Sequence, residues 1–178
     1  MFPEIITQRF CLRKIISTDQ QYIFEGLSNG SVIKYYGVSF QTFEATMRQM
    51  EWYENLLNTE TGIWWGICFQ GSNELIGACG FNNISIEHNK TEMGYWLLPA
   101  YWKKGIMIEV IPSIIKYAFN QLKLHRIEAT VETGNLSSNN LLRKLGFEYE
   151  GTLKECELKN EKFIDLEYYA LITNNKSL

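Results

Sequence analysis

The spacing of apolar positions changes period several times along the chain, and each change predicts an element. Residues 8–16, QRFCLRKII, mix alternation with β-branched side chains and predict a strand. STDQQYIFEGLSNG reads as a helix, with Ser17, Thr18 or Asp19 as its cap and Gly30 as its stop. In SFQTFEATMRQMEWYENLLNTETG, Phe40, Phe43, Met47, Met50 and Tyr53 recur at three- and four-residue steps, which predicts a second amphipathic helix. IWWGICFQGSNELIGACGFNNISI then reads as two strands joined by the turn Gly71-Ser72-Asn73. KTEMGYWLL is a further strand, ended by Pro99, and helical character runs from Gly105 to about Leu122. HRIEATVE is a strand. SSNNLLRKLG is a short helix, with Ser137 or Ser138 as its N-cap and Gly146 as a left-handed C-terminal cap. FEYEGTLKECEL and KFIDLEYYALI are two closing strands. The predicted order is β-α-α-β-β-β-α-β-α-β-β, an α/β (α+β) chain with one mixed, mostly antiparallel seven-stranded sheet flanked by helices. Its strand–helix–strand run over 91–132 implies one parallel pair. Pro112 conflicts with the helix around it, since proline removes a hydrogen bond and crowds the preceding turn. The helix therefore kinks there or begins irregularly.

Composition narrows this picture. A length of 178 residues fits a single domain, 1–178, and 46% hydrophobic with 14% aromatic residues is ample for a core. A formal net charge of -3, with both signs mixed along the chain, argues against a nucleic-acid partner held by bulk positive charge. Cys11, Cys68, Cys79 and Cys156 form no CxxC pair, and with only His88 and His125 beside them no metal-ligand set is evident. Cys68 and Cys79 could meet across the hairpin, but two small core residues are the plainer reading. No signal peptide and no 18-residue apolar span is visible, so a cytoplasmic protein without a membrane partner is expected.

The candidate chemistry sits in GYWLLPAYWKKGIMIEV, where an aromatic strand gives way to Lys103, Lys104, Gly105 and then an apolar helix. A helix starting at Gly105 offers unpaired amides and the positive end of its dipole, which suits a phosphate group. Alone the motif is weak, for it has neither the GxxxxGK[ST] nor the GxGxxG pattern. Three blocks together are specific: NELIGACGF, TEMGYWLLPAYWKKGIMIEV, and HRIEATVETGNLSSNNLLRKLGFEYEGTLKE. On these the chain resembles the GNAT superfamily of acetyl-CoA-dependent N-acetyltransferases, within it the RimJ/RimL-like branch of ribosomal-protein Nα-acetyltransferases.

That resemblance implies a GNAT fold and a set of roles. The family's phosphate loop, Q/R-x-x-G-x-G/A, falls on Trp102-Lys103-Lys104-Gly105-Ile106-Met107, with Trp102 and Met107 departing from the consensus. It implies that amides of residues 103–108, hence Lys103, Lys104, Gly105, Ile106 and Met107, hold the pyrophosphate of coenzyme A. The pantetheine arm would slot between the strands at 91–98 and 125–132 and pair with backbone groups of Trp96, Leu97 and Leu98. Glu92 would remove the amine proton. The tyrosine that many relatives place four residues before the final GF is Leu142 here. In its stead the N-x-x-S pattern gives Asn135 as a coenzyme contact and Ser138 as the proton donor to the thiolate. Tyr35, Tyr36, Phe81 and Asn82 are candidates for the acceptor pocket. Glu109 needs no catalytic role, since a carboxylate near a helix start is favourable in itself.

Substrate chemistry weighs on the base. An α-amine, pKa about 7.7–8.0, is roughly a tenth or more neutral at pH 7, whereas a lysine-like amine near 10.4 is neutral at about one part in a few thousand. A modest base therefore suits a protein N-terminus. The expected activity is transfer of an acetyl group from acetyl-CoA to the N-terminal α-amine of a protein such as a ribosomal protein. The alternatives are a small amine, such as a polyamine or aminoglycoside, and a coenzyme-A-binding module without catalysis. A homodimer is compatible with the resemblance, though no residue dictates one.

Overall fold

One eight-stranded sheet organises the computed structural model, which describes residues 2–173. Its strands are β1 (Ile5–Ile6), β2 (Phe10–Lys14), β3 (Ile63–Phe69), β4 (Leu75–Ser85), β5 (Lys90–Leu97), β6 (Arg126–Glu132), β7 (Glu148–Lys159) and β8 (Lys162–Ile172). They lie in the order β1-β2-β3-β4-β5-β6-β8-β7. Every neighbouring pair is antiparallel except β5 and β6. The eighth strand is β1, where Ile5 and Ile6 pair with Leu12 and Cys11; two residues are too few to show a period. The helices are α1 (Gln20–Ser28), α2 (Gly30–Ile33), α3 (Met47–Asn58), α4 (Ile106–Asn120) and α5 (Leu136–Lys144).

Alternation along the strands splits the core into two layers. On one face Phe10, Trp65, Phe81, Ile127, Ala129 and Tyr169 pack with Val110, Ile111 and Ile114 of α4 and Leu142 of α5. On the other, Trp64, Ala78 and Trp96 pack with Ile23 and Leu27 of α1 and Tyr53 and Leu56 of α3. Adjacent Trp64 and Trp65 thus serve opposite layers, so β3 is apolar throughout rather than alternating. Each large side chain removed from water in this way contributes roughly 1.5–3 kcal/mol.

Several local expectations are corrected. Asp19 is the N-cap residue of α1, but its side chain makes no capping bond to that helix: its carboxylate accepts from Ile16 N at 2.8 Å and pairs with Arg13 at 2.7 Å. Gly30 does not stop α1. Extended Asn29 does so, and its side chain caps α2 by accepting from Ser31 N at 3.0 Å. The next long helix starts only at Met47, leaving Phe40 and Phe43 in the segment before it. α4 runs unbroken through Pro112, which lies on its exposed face together with Ile108, the residue whose carbonyl loses its usual partner. Cys68 and Cys79 are both fully buried and do not meet: Cys68 is opposite Leu75 and Cys11, and Cys79 is opposite Trp65 and Tyr95.

Candidate active site

The parallel pair comes apart partway along. β5 and β6 are in register only at Lys90↔Arg126, Thr91↔Ile127 and Glu92↔Glu128. Beyond that point β4 still holds β5 as far as Gly77↔Leu97, and β8 holds β6 as far as Glu132↔Leu166. Each strand keeps its outer neighbour and loses its inner one, which opens a wedge-shaped gap. Leu98 N donates to Ile76 O at 2.9 Å, and Asn89 O accepts from Arg126 N at 3.1 Å. Alternation then turns the backbone of even-numbered β5 residues toward β4 and that of Met93, Tyr95 and Leu97 toward the gap. Of Trp96, Leu97 and Leu98, therefore, only Leu97 presents its backbone there, and its carbonyl accepts from Trp102 Nε1 at 2.6 Å.

The start of α4 follows the end of β5 through the turn Pro99–Tyr101. Gly105 caps this helix at φ 73°, ψ 12°, and Lys103 two residues earlier is also left-handed at φ 60°. A Cβ built on Gly105 would meet only Arg9 Nη2, at 3.9 Å, so the backbone angle rather than crowding calls for glycine here. Glu109 N donates to Gly105 O at 3.2 Å. The amides of Ile106, Met107 and Ile108 before it have no acceptor among the described residues. The side chain of Ile106 is buried in the core, and that of Met107 packs against it.

Glu109 has a definite job. Its carboxylate accepts from Arg9 N at 2.8 Å, Arg9 Nε at 2.6 Å and Thr7 Oγ1 at 2.7 Å. Burial alone would raise its pKa, but these bonds outweigh it and hold the carboxyl below its ordinary value. The guanidinium of the same Arg9 donates to Lys104 O at 3.3 Å, so the loop of residues 103–105 is braced from the turn between β1 and β2. Lys104 lies over the ring of Tyr101, with Nζ 5.5 Å from its centre.

Where the strands part, Glu92 is the last residue of β5 paired with β6. Its Oε2 accepts from Asn82 Nδ2 at 3.2 Å and Asn83 Nδ2 at 3.0 Å, and its Oε1 from Thr130 Oγ1 at 3.0 Å. None of these donors is charged. Neighbouring Glu128, by contrast, is neutralised by Lys90 at 3.1 Å and Arg126 at 2.7 Å. An irregularity in β4 between Asn82 and Ser85, with Asn83 at φ 55°, brings Asn83 to the carboxylate.

On the opposite face, Tyr95 Oη and Ser138 Oγ are 2.5 Å apart. Burial pushes the Tyr95 hydroxyl up to about 12, against a smaller downward pull from Ser138. Asn135 is the N-cap of α5, its Oδ1 accepting from Ser138 N at 3.2 Å, so neither Ser137 nor Ser138 caps that helix. Leu142 is fully buried in the core.

The acceptor candidates divide. Asn82 touches Glu92. The Tyr35 hydroxyl lies 3.6 Å from where a side chain on Gly134 would begin, at the far end of β6, and the preceding carbonyl, Lys34 O, accepts from Lys159 Nζ at 2.6 Å. Tyr36 packs against the α1/α3 core, and burial raises its hydroxyl well above the ordinary value. Phe81 is fully buried, edge-on to Trp65 in the α4 layer, so it is a core residue and cannot touch an acceptor. Residue reading alone missed Tyr95, Thr130, Asn83 and Arg9. Among the described residues no group of His, Cys, Asp and Glu could hold a metal ion, and no helix is long and apolar enough to cross a membrane.

Residues 9–148 match the family model described as acetyltransferase (GNAT) domain. The chain belongs to the GNAT acetyltransferase family and is an N-acetyltransferase. It is 36% identical to the uncharacterized N-acetyltransferase YoaA of Bacillus subtilis, over 97% of this chain and 98% of that one. It is 31% identical to the ribosomal-protein-serine acetyltransferase of Escherichia coli over 58% of each chain. Among solved structures, a GNAT-family acetyltransferase from Bacillus anthracis superposes with a TM-score of 0.83 at 28% identity, covering 96% of this chain and 98% of that one.

Proposed function

We propose that this N-acetyltransferase moves the acetyl group of acetyl-CoA to the N-terminal α-amine of a protein, with Glu92 on the amine side of the gap and Ser138 on the sulfur side. Acetyl-CoA supplies the acyl group as a thioester. The unpaired amides of residues 106–108, with Lys103, Lys104 and Gly105 before them, form an anion cradle for its diphosphate. The gap-facing backbone of Tyr95 and Leu97 offers an extended amide chain the partners that β6 does not provide. An N–H on that edge would face the thioester oxygen and stabilise charge as it develops there. Glu92, which has no cationic partner among the described residues, attracts the ammonium form of the amine and accepts its proton directly or through a water. Asn135 fixes the first turn of α5, and Ser138 Oγ donates the proton that the leaving thiolate needs.

The observation carrying this reading is the fork at Glu92: the pairing of β5 and β6 ends at a carboxylate whose partners are all neutral. Similarity to the E. coli ribosomal-protein-serine acetyltransferase supports a protein N-terminus as acceptor. The test follows free thiol release from acetyl-CoA with peptides beginning in Ala, Ser or Met, against spermidine, free lysine and aminoglycosides. A peptide preference is expected, with kcat/KM rising through pH about 7.7–8.0 as the α-amine loses its proton. Preference for a small amine, with activity still climbing toward pH 10, would overturn the acceptor. Absence of turnover with every amine would overturn the activity.

A further inference from the structure

The tyrosine that the family places on α5 is absent, yet a tyrosine hydroxyl reaches α5 from the sheet. Tyr95 lies on β5 beyond the last residue paired with β6, and its side chain packs into the α4/α5 layer. Its Oη stands 2.5 Å from Ser138 Oγ, and each hydroxyl has no other protein partner among the described residues. A helical serine ordinarily donates back to a carbonyl three or four residues earlier, and Ser138 does not. Its amide is occupied by Asn135 Oδ1, so its hydroxyl is left to Tyr95.

The direction of this bond follows from the surroundings. Had Ser138 donated, the proton of the desolvated Tyr95 hydroxyl would be left without an acceptor, at a cost. Both residues are partly buried, but burial desolvates the Tyr95 hydroxyl, so with Tyr95 donating it is the Ser138 proton that remains free. We propose that Tyr95 is a positioning residue: it donates to Ser138 Oγ and so aims the Ser138 proton at the sulfur of the departing coenzyme. The inference rests on the coenzyme reading above. In the transfer the Ser138 O–H bond breaks and the S–H bond of coenzyme A forms. As that proton leaves, the Tyr95 proton moves along the hydrogen bond onto Ser138 Oγ, because a phenol is a stronger acid than an alcohol, and solvent returns a proton to Tyr95.

The experiment compares wild type, Tyr95→Phe, Ser138→Ala and the double variant, using acetyl-CoA and acetyl thioesters of more acidic thiols. With acetyl-CoA, Tyr95→Phe should lower kcat about tenfold, with KM and coenzyme affinity within about threefold and an unaltered circular-dichroism spectrum. The double variant should be no slower than Ser138→Ala, because the two hydroxyls act as one unit. As the leaving thiol becomes acidic enough to depart unprotonated, the Tyr95→Phe deficit should vanish. A structural role would depress every thioester alike. Such a uniform loss, an unchanged kcat, or strictly additive effects in the double variant would each overturn the assignment of Tyr95. Failure of the wild type itself to bind or turn over acetyl-CoA would instead remove the coenzyme reading.

Discussion

Replacing Gly105 by Asn and by Asp isolates the charge of the ligand proposed for the start of α4. Both side chains have nearly the same shape, and both tolerate the left-handed angle of φ 73° better than other residues. Each should cost about 1 kcal/mol of stability from that angle. Packing adds nothing, because the nearest atom to a new Cβ is Arg9 Nη2 at 3.9 Å. The pair differs by one negative charge at the amides proposed for the diphosphate. At a separation of ~5 Å and an effective dielectric of about 20, one charge pair is worth about 3 kcal/mol. Screening by Lys103, Lys104 and salt reduces this to about 2 kcal/mol, a factor of about 30 in affinity. Calorimetric titration with coenzyme A should therefore show Asp binding about 30-fold more weakly than Asn at low salt, with the difference shrinking toward 1 M salt. Asn and Asp binding within twofold of each other at low salt would refute the cradle, whatever the two variants do to folding.

Other expectations follow from the same structure. Asp19→Asn leaves Arg13, whose side chain is only 13% exposed, without its counter-charge. It should cost about 3 kcal/mol in urea unfolding, and a loss under 1 kcal/mol would show that the pair is dispensable. Gly94→Ala places a methyl group 2.7 Å from Cη2 of Trp64; the expected result is a loss of about 1–3 kcal/mol with a changed tryptophan emission, and an unchanged spectrum would contradict the packing. Glu150 is lowered by its Arg126 hydrogen bond, while Glu109 and Glu128 are raised by burial but lowered further by their basic partners. Folded values below the unfolded ones mean stability that is complete above about pH 4.3–4.5 and lost as pH falls through the folded values. The melting temperature should therefore drop on acidification below that point, more steeply than in an Arg126→Gln variant; parallel curves would count against the pairing.

Much of the architecture was readable because it rests on short-range pattern. The strand–helix–strand run over 91–132 implied the parallel pair, and Gly105 with two lysines marked the start of α4. Phe81 could have been placed by the same logic, since it alternates in phase with Cys79, opposite Trp65, and out of phase with Asn82. Its neighbours in FNN drew attention to polarity instead. The cap of α5 slipped from Ser137 or Ser138 to Asn135 because all three residue types cap well, and only geometry chooses between them. The backbone direction of Leu98 could not be assigned until its bond to Ile76 was seen. Tyr95 shows the limit most clearly: phase put it in a core layer, but its partner lies 43 residues away on another element. Nothing local to either residue announces that pair.

The phase of one strand also accounts for how a base and an acid can serve one transfer. Glu92 and Tyr95 are separated by an odd number of positions, so their side chains leave β5 on opposite faces. Gly94 confirms the phase, for a side chain there would enter the α1/α3 layer at Trp64. Elsewhere the sheet is a wall between the two faces. At the fork it is not, because β5 and β6 have separated and only backbone edges line the opening. In the proposed reaction the amine comes to the thioester carbon from the Glu92 face, and the sulfur departs on the Ser138 face. The attacking and leaving groups thus lie on opposite sides of the carbon without any rearrangement of the protein. In that proposed reaction a carboxylate at position 93 or 95 would sit beside the departing thiolate, where its charge would oppose the transfer, so the even-numbered place suits the proposed chemistry and follows from the pleat.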